Sequence, residues 1–392
     1  MELLPYNGFF FACVLIATFI NFLFYRFNFY SHIDFSSERY FHVDGIRGIA
    51  AIFVVMNHLV FSFENNGFKP SDVEGLNFWL FAHAGDIGVQ IFFCITGFLF
   101  ADKIIKTNNN LDWNNFFSSR IKRLVPMYLI ATVIVSVLTL AWSNGTQPIV
   151  TTIRQLITLF GFGFLGSDIW VNGFRTFSLN AVIWTLPYEW KFYCILPLVC
   201  AGLRFKRLFS LSCVLVFLYA LNDLYLGQAV WVYFISGALT AYIHNRYPIN
   251  INAKSFSNKI TSSIIVFSSL VYLLNSNLSG YGYERFIITS LLFLFVVITK
   301  PWVLTAKPLV YLGEASYSSY LLHLIINAIT LRVLSGYMSL DDISSLGFWS
   351  ILFFLVIITT IFTAFTFKYI ECKFINVKLS IPQAKTISAQ FG

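Results

Sequence analysis

The stretch Tyr40–Phe61, YFHVDGIRGIAAIFVVMNHLVF, settles the fold class and raises the functional question together. An acid and an arginine come first, an apolar run follows, and Asn57-His58 lies deep inside that run. Apolar runs of this kind recur along the chain, each about 17 to 24 residues and long enough to cross roughly 30 Å of hydrocarbon as a helix. The 392 residues are 57% hydrophobic and 11% charged, with mean hydropathy +0.73, which excludes an ordinary soluble globular protein. The expectation is an all-α, polytopic integral membrane protein.

Counting runs predicts eleven helices, near 8–25, 45–63, 79–100, 124–142, 181–202, 208–222, 228–244, 262–276, 286–300, 309–332 and 347–370. The first has no basic residue before it and no small-residue cleavage pattern, so it is expected to be retained rather than removed as a signal. Between the fourth and fifth runs, residues 143–180 form a long outer segment in which TTIRQLITLFGFGFLG is expected to be interfacial or re-entrant. Domain boundaries follow: 1–39 an N-terminal transmembrane helix and linker, 40–371 a membrane domain, and 372–392 a cytoplasmic tail.

The net charge of +8 sits mainly in alternate loops, at Lys103 to Arg123, Arg204 to Arg207, around 244–259, at Lys300 to Lys307 and after Lys368. The intervening loops are neutral or acidic. That is the positive-inside pattern, not a nucleic-acid surface. With an odd number of spans it places the N-terminus outside and the C-terminus in the cytoplasm. The six cysteines show no CxxC and no ligand spacing with histidine, so neither a disulfide framework nor a metal site is expected. GFGFLG at 161–166 matches GxGxxG by letter, but it follows no strand and is filled with Phe and Leu, so it is not a nucleotide loop.

Arg47 and His58 are eleven positions apart, close to three turns, so they share one stripe roughly 16 Å apart along the axis. Arg47 then lies at the cytoplasmic interface and His58 well inside the bilayer. An intramembrane histidine faces a cavity or a partner, and it is the side chain suited to proton transfer near neutral pH. Asp44 is expected to be the N-cap of this helix, its carboxylate accepting from a first-turn amide. A base at that depth with a cationic anchor at the mouth suggests chemistry on an anionic cytosolic donor.

HVDGIRGIAAIFVVMNH resembles the signature of the acyltransferase-3 family of membrane-bound bacterial O-acyltransferases, an arginine followed after ten residues by a histidine. The likeness continues in order: GDIGVQIFFCITGFLF, with Thr96 where the family usually has serine; RIKRLVPMY, with Arg120 and Arg123; WTLPYEWKFYCILP, which begins at Trp184 and contains Glu189; LGEASYSSYLLH, ending at His323; and YIE, ending at Glu371. It spans residues 40–371. The proline that often follows the terminal glutamate is absent, and one helix precedes the ten-helix core.

The resemblance implies transfer of an acyl group, usually acetyl from acetyl-CoA, to a hydroxyl of a cell-surface glycan or lipid-linked glycan: an O-antigen, capsule or exopolysaccharide unit. It implies a multi-pass protein of the bacterial inner membrane, in contact with lipids, in a stand-alone form without an appended esterase-like domain. His58 and Glu189 are the catalytic candidates; Arg47, Arg120 and Arg123 are candidates to hold the CoA phosphates; Asp44, Asn57, Trp184 and His323 would support them. From the run of the fifth long helix, Glu189 is expected at the depth of His58. The alternatives are a proton-coupled transporter or a non-catalytic scaffold, and oligomeric state is open.

Overall fold

The computed structural model describes residues 4–31, 33, 39–64, 78–203, 205–247, 256–340 and 343–375. The expected neutral-to-acidic loop over 65–77, Arg204, the middle of the basic stretch at 248–255, and the tail beyond 375 lie outside the described residues.

The described residues are all-α apart from one small hairpin. In order come α1 (Leu4–Arg26), α2 (Phe41–Glu64), α3 (Phe78–Lys106), α4 (Trp113–Trp142) and the short α5 (Ile149–Leu159). Next are strands β1 (Trp170–Val171) and β2 (Phe174–Arg175), α6 (Phe177–Asn180) and a tight turn over Ala181–Thr185. Then follow α7 (Leu186–Gly202), α8 (Lys206–Tyr225), α9 (Val232–Arg246), α10 (Phe256–Asn275) and α11 (Tyr283–Thr299). The chain closes with α12 (Lys307–Glu314), α13 (Ser316–Ser335), α14 (Ser345–Thr366), a wide π turn over Phe367–Glu371 and α15 (Cys372–Ile375). Among the described residues, seven helices (α1, α2, α3, α4, α10, α13 and α14 with its extension to Ile375) are long and apolar enough to cross a membrane. The fold is that of a polytopic helical membrane protein.

Three departures from the sequence expectation bear on the site and its surroundings. The helix expected at 124–142 begins at Trp113, because the Asp112 carboxylate caps it by accepting from the Asn115 amide. Arg120 and Arg123 are therefore helical residues rather than loop anchors. The run expected at 309–332 is broken at Ala315 into α12 and α13, a break that hydropathy does not register because both sides are apolar. The segment between α4 and α7 contains α5 followed by a turn in which Phe162, Gly163 and Gly166 take positive φ. There Phe162 stacks on Tyr128 at 3.9 Å, so GFGFLG is an aromatic-packed turn after a helix.

Helices α2 and α3 are central: 72% of the most apolar stretch of each is buried, against 22% for α1. Small residues permit the close approaches that pack helices in lipid. A Cβ on Gly237 of α9 would meet Cys94 O at 2.0 Å, and one on Gly97 of α3 would meet Phe234 O at 2.0 Å. At the start of α2, a Cβ on Gly45 would collide with Leu304 O, and one on Gly313 of α12 would stand 2.0 Å from Asp44 O. That contact seats the α12–α13 break against α2 and brings Ser316 to Arg47.

Candidate active site

A chamber of about 300 Å³ opens between α2, α3, α4, α7 and α13. Four cations, Arg47, Lys103, Arg120 and Arg123, line it with a single carboxylate, Glu189, so it is electropositive. Arg47 is fixed rather than free. Its Nε donates to Ser316 Oγ at 2.8 Å and its Nη1 lies 3.7 Å from Asp44 Oδ1. Its Nη2 is buried and has no hydrogen-bond partner among the described residues. A fixed guanidinium with one bare N–H edge in a positive chamber is suited to an anionic oxygen.

Asp44 does not cap α2. The helix already begins at Phe41, and the Asp44 amide is bonded to Tyr40 O. Its carboxylate accepts from Arg39 Nε at 2.7 Å and faces Arg47, while Arg39 also pairs with Glu314. The helix start four residues earlier frees the carboxylate to aim Arg47, and an acid in the first turn still suits the helix dipole.

Arg120 lies 5.0 Å over the Phe100 ring. Glu189, on the first turn of α7, accepts from Tyr193 Oη one turn on and lies within electrostatic reach of Arg120, Arg123 and Arg47. Glu189 stands with the arginines: it lines the same chamber as Arg47, Arg120 and Arg123, and His58 is not among the residues lining that chamber. The physical reason is local. Residues 177–185 are short turns packed on α13 and not the start of a membrane-spanning rise, and α7 starts only at Leu186 with Pro187 in its first turn.

His58 lies farther along α2 and faces α13, its ring centroid 5.0 Å from that of His323. His58 Nδ1 is 2.9 Å from Val54 O, and His323 Nδ1 is 2.7 Å from Ser319 O. A carbonyl oxygen only accepts, so both Nδ1 atoms carry the proton and both Nε2 atoms are left with a lone pair. His323 is fully buried and its Nε2 has no partner among the described residues. The partner that orients His58 is thus a backbone carbonyl, with a second imidazole beside it.

Asn57 is turned away from this pair. Its Nδ2 donates to Phe81 O at 3.0 Å and Ala82 O at 3.3 Å, tying α2 to the first turn of α3. Trp184 packs edge-on to Tyr188 at 6.0 Å beside the core. The sequence reading passed over Ser316, which holds Arg47, and Tyr193, which holds Glu189. It also gave no role to Glu371, which is buried on the π turn, accepts from Ser318 Oγ at 2.8 Å and stands within electrostatic reach of Arg123 and Arg47. An acid in the last apolar run was the available signal for Glu371; the hydroxyl partners had none.

A family model described as "Acyltransferase domain" matches residues 40–368. A candidate O-acetyltransferase of Staphylococcus aureus strain COL is 23% identical over 378 residues, covering 85% of this chain and 56% of that protein. The O-acetyltransferase OatA of Staphylococcus aureus strain NCTC 8325 / PS 47 is 26% identical over 323 residues, covering 72% of this chain and 49% of that protein. The chain thus spans about half the length of the curated relatives it matches. No solved structure matches it.

Proposed function

The chain belongs to the acyltransferase-3 family, and from that premise we propose that it is an O-acyltransferase carrying acetyl from cytosolic acetyl-CoA to a hydroxyl of a cell-surface glycan unit. The relatives' names point to O-acetyl transfer, and the relation of the arginine chamber to His58 along α2 supports the donor. The CoA phosphates would meet Arg47, Arg120 and Arg123 at the cytoplasmic end of α2, with the membrane oriented by its basic loops. The roughly 16 Å between Arg47 and His58 is the reach of an extended pantetheine arm, which would bring the thioester to the histidine pair.

In this reading His58 Nε2 takes the proton of the acceptor hydroxyl as its oxygen attacks the thioester carbonyl. The carbon–sulfur bond then breaks, and the imidazolium returns the proton to the leaving thiolate. Fixing Nδ1–H on Val54 O keeps the lone pair at Nε2, which is the condition for a base. The observation that carries the proposal is the bare Nη2 of Arg47 in a chamber with an excess of cations, on the same helix as His58.

Purified protein in nanodiscs with acetyl-CoA should release free coenzyme A in an acceptor-dependent way. Cells carrying the gene should bear surface glycan heavier by acetyl units than cells without it. His58→Ala should lower turnover by about 10² or more while leaving coenzyme A affinity within about twofold. A folded His58→Ala variant with near-normal transfer would refute the assignment of the base.

A further inference from the structure

Ser316, Tyr320, His323 and Asn327 follow one another at spacings of four, three and four, so they form a single stripe along α13. The stripe is tied to α2 at two levels: Ser316 holds Arg47, and His323 faces His58. Asn327 therefore lies one turn, about 6 Å, beyond the histidine pair on the side away from the arginines. Asn327 is fully buried, and both ends of its amide, Nδ2 and Oδ1, lack a hydrogen-bond partner among the described residues. A wholly unsatisfied amide inside a membrane protein is costly and has to be explained.

Two more unpaired groups belong to the same region. His323 Nε2 is one. The other is Asn180 Oδ1, at the end of α6, whose continuation Ala181 and Val182 packs on Leu324 and Tyr320 of α13. The stripe carries no charged side chain beyond the arginine level. These groups form no ion site; they offer lone pairs and an amide N–H to a neutral partner rich in hydroxyls.

We infer that Asn327 and His323 form the acceptor subsite of this protein, taking an uncharged polyhydroxylated group whose hydroxyls bond His323 Nε2 and both ends of the Asn327 amide. The inference rests on the proposed acyl transfer and adds where, and by which residues, the acceptor is held. Donor and acceptor then approach His58 from opposite ends of one α2–α13 seam.

The test uses the full chain in nanodiscs with acetyl-CoA as donor, methyl β-glucoside as polyhydroxyl probe and 1-hexanol as monohydroxyl control. Wild type should acetylate the glucoside in preference to hexanol. Asn327→Leu should lower kcat/KM for the glucoside about tenfold or more and leave hexanol transfer and coenzyme A affinity within about twofold. Its melting temperature should hold or rise, because the amide it removes makes no internal bond. Asn327→Ser, which restores a donor and an acceptor, should recover part of the glucoside rate.

Unchanged glucoside kcat/KM in Asn327→Leu, with His58→Ala inactive, would overturn the subsite and leave the transferase reading standing. A lowered melting temperature with equal loss toward both acceptors would overturn it in favour of a packing role. Equal use of glucoside and hexanol by wild type would overturn the polyhydroxyl specificity. Failure of wild type to acetylate either compound would refute the acyl transfer on which the subsite depends.

Discussion

Arg47 is the residue whose removal should speak most directly to the donor. Its guanidinium is immobilised by Ser316 and Asp44, so little side-chain ordering remains to oppose binding, and only Nη2 is bare. A hydrogen bond to a charged group contributes about 1.5 to 3 kcal/mol net. At about 1.4 kcal/mol per tenfold, Arg47→Ala should weaken coenzyme A binding by roughly 10- to 100-fold. Arg47→Lys keeps the charge but loses the fork that reaches Ser316 and the ligand at once, so it should recover only part of that loss. Titration calorimetry with coenzyme A in nanodiscs measures both, and the wild-type affinity should fall as salt rises while the Arg47→Ala affinity falls less. Ser316→Ala, which releases the guanidinium without removing it, should give a smaller loss in the same direction. Unchanged affinity in both Arg47→Ala and Arg123→Ala would refute the claim that the chamber holds the donor's phosphates.

Other consequences concern the scaffold. Gly237→Ala should push α9 from α3, since its Cβ would stand 2.0 Å from Cys94 O; an overpacking cost of about 3 kcal/mol should appear as a lower melting temperature, and an unchanged one would contradict the close approach. Asn57→Ala removes the donor to Phe81 O and Ala82 O and should cost about 1 to 3 kcal/mol in thermal stability while coenzyme A affinity stays within about twofold. A specific loss of turnover with unchanged stability would instead place Asn57 in the chemistry. At the β1–β2 hairpin, Arg175 holds the Asp168 carboxyl below its ordinary range. That contribution is present above the ordinary carboxylate range and is lost as pH falls through the depressed value. Protection of the Trp170–Arg175 amides, taken as exchange relative to the intrinsic rate at each pH, should therefore fall only in acid, and an equal fall at neutral pH would count against the pair.

Much of the architecture was legible because the bilayer restricts the choices. Long apolar runs become helices, and the positions of α1, α2, α3, α10 and α14 follow the hydropathy within a few residues apart from an earlier start for α10 and α2 and a later end for α3. Where polar capping or a local break decides, hydropathy is blind. Asp112 extended α4 toward its N-terminus, and the hinge at Ala315 divided one apparent run into α12 and α13. The same limit applied to the site. Arg47 and His58 could be paired from spacing alone, since both lie on one helix. Glu189 could not be placed, because its depth depends on the turns over 177–185 and on three arginines from other elements.

By itself, the sequence determined that this is a membrane-embedded helical protein, which family signature it carries, and that one stripe of α2 bears a cation and an imidazole three turns apart. Those are properties of composition and of the helical repeat. Only the tertiary structure decided that Asp44 aims Arg47 instead of capping α2, that Glu189 and Glu371 stand with the arginines, and that His58 faces His323 with Asn327 one turn beyond. The reason is that electrostatic partnership and hydrogen-bond satisfaction inside a bilayer act between helices far apart in the chain, and no local period encodes which faces meet.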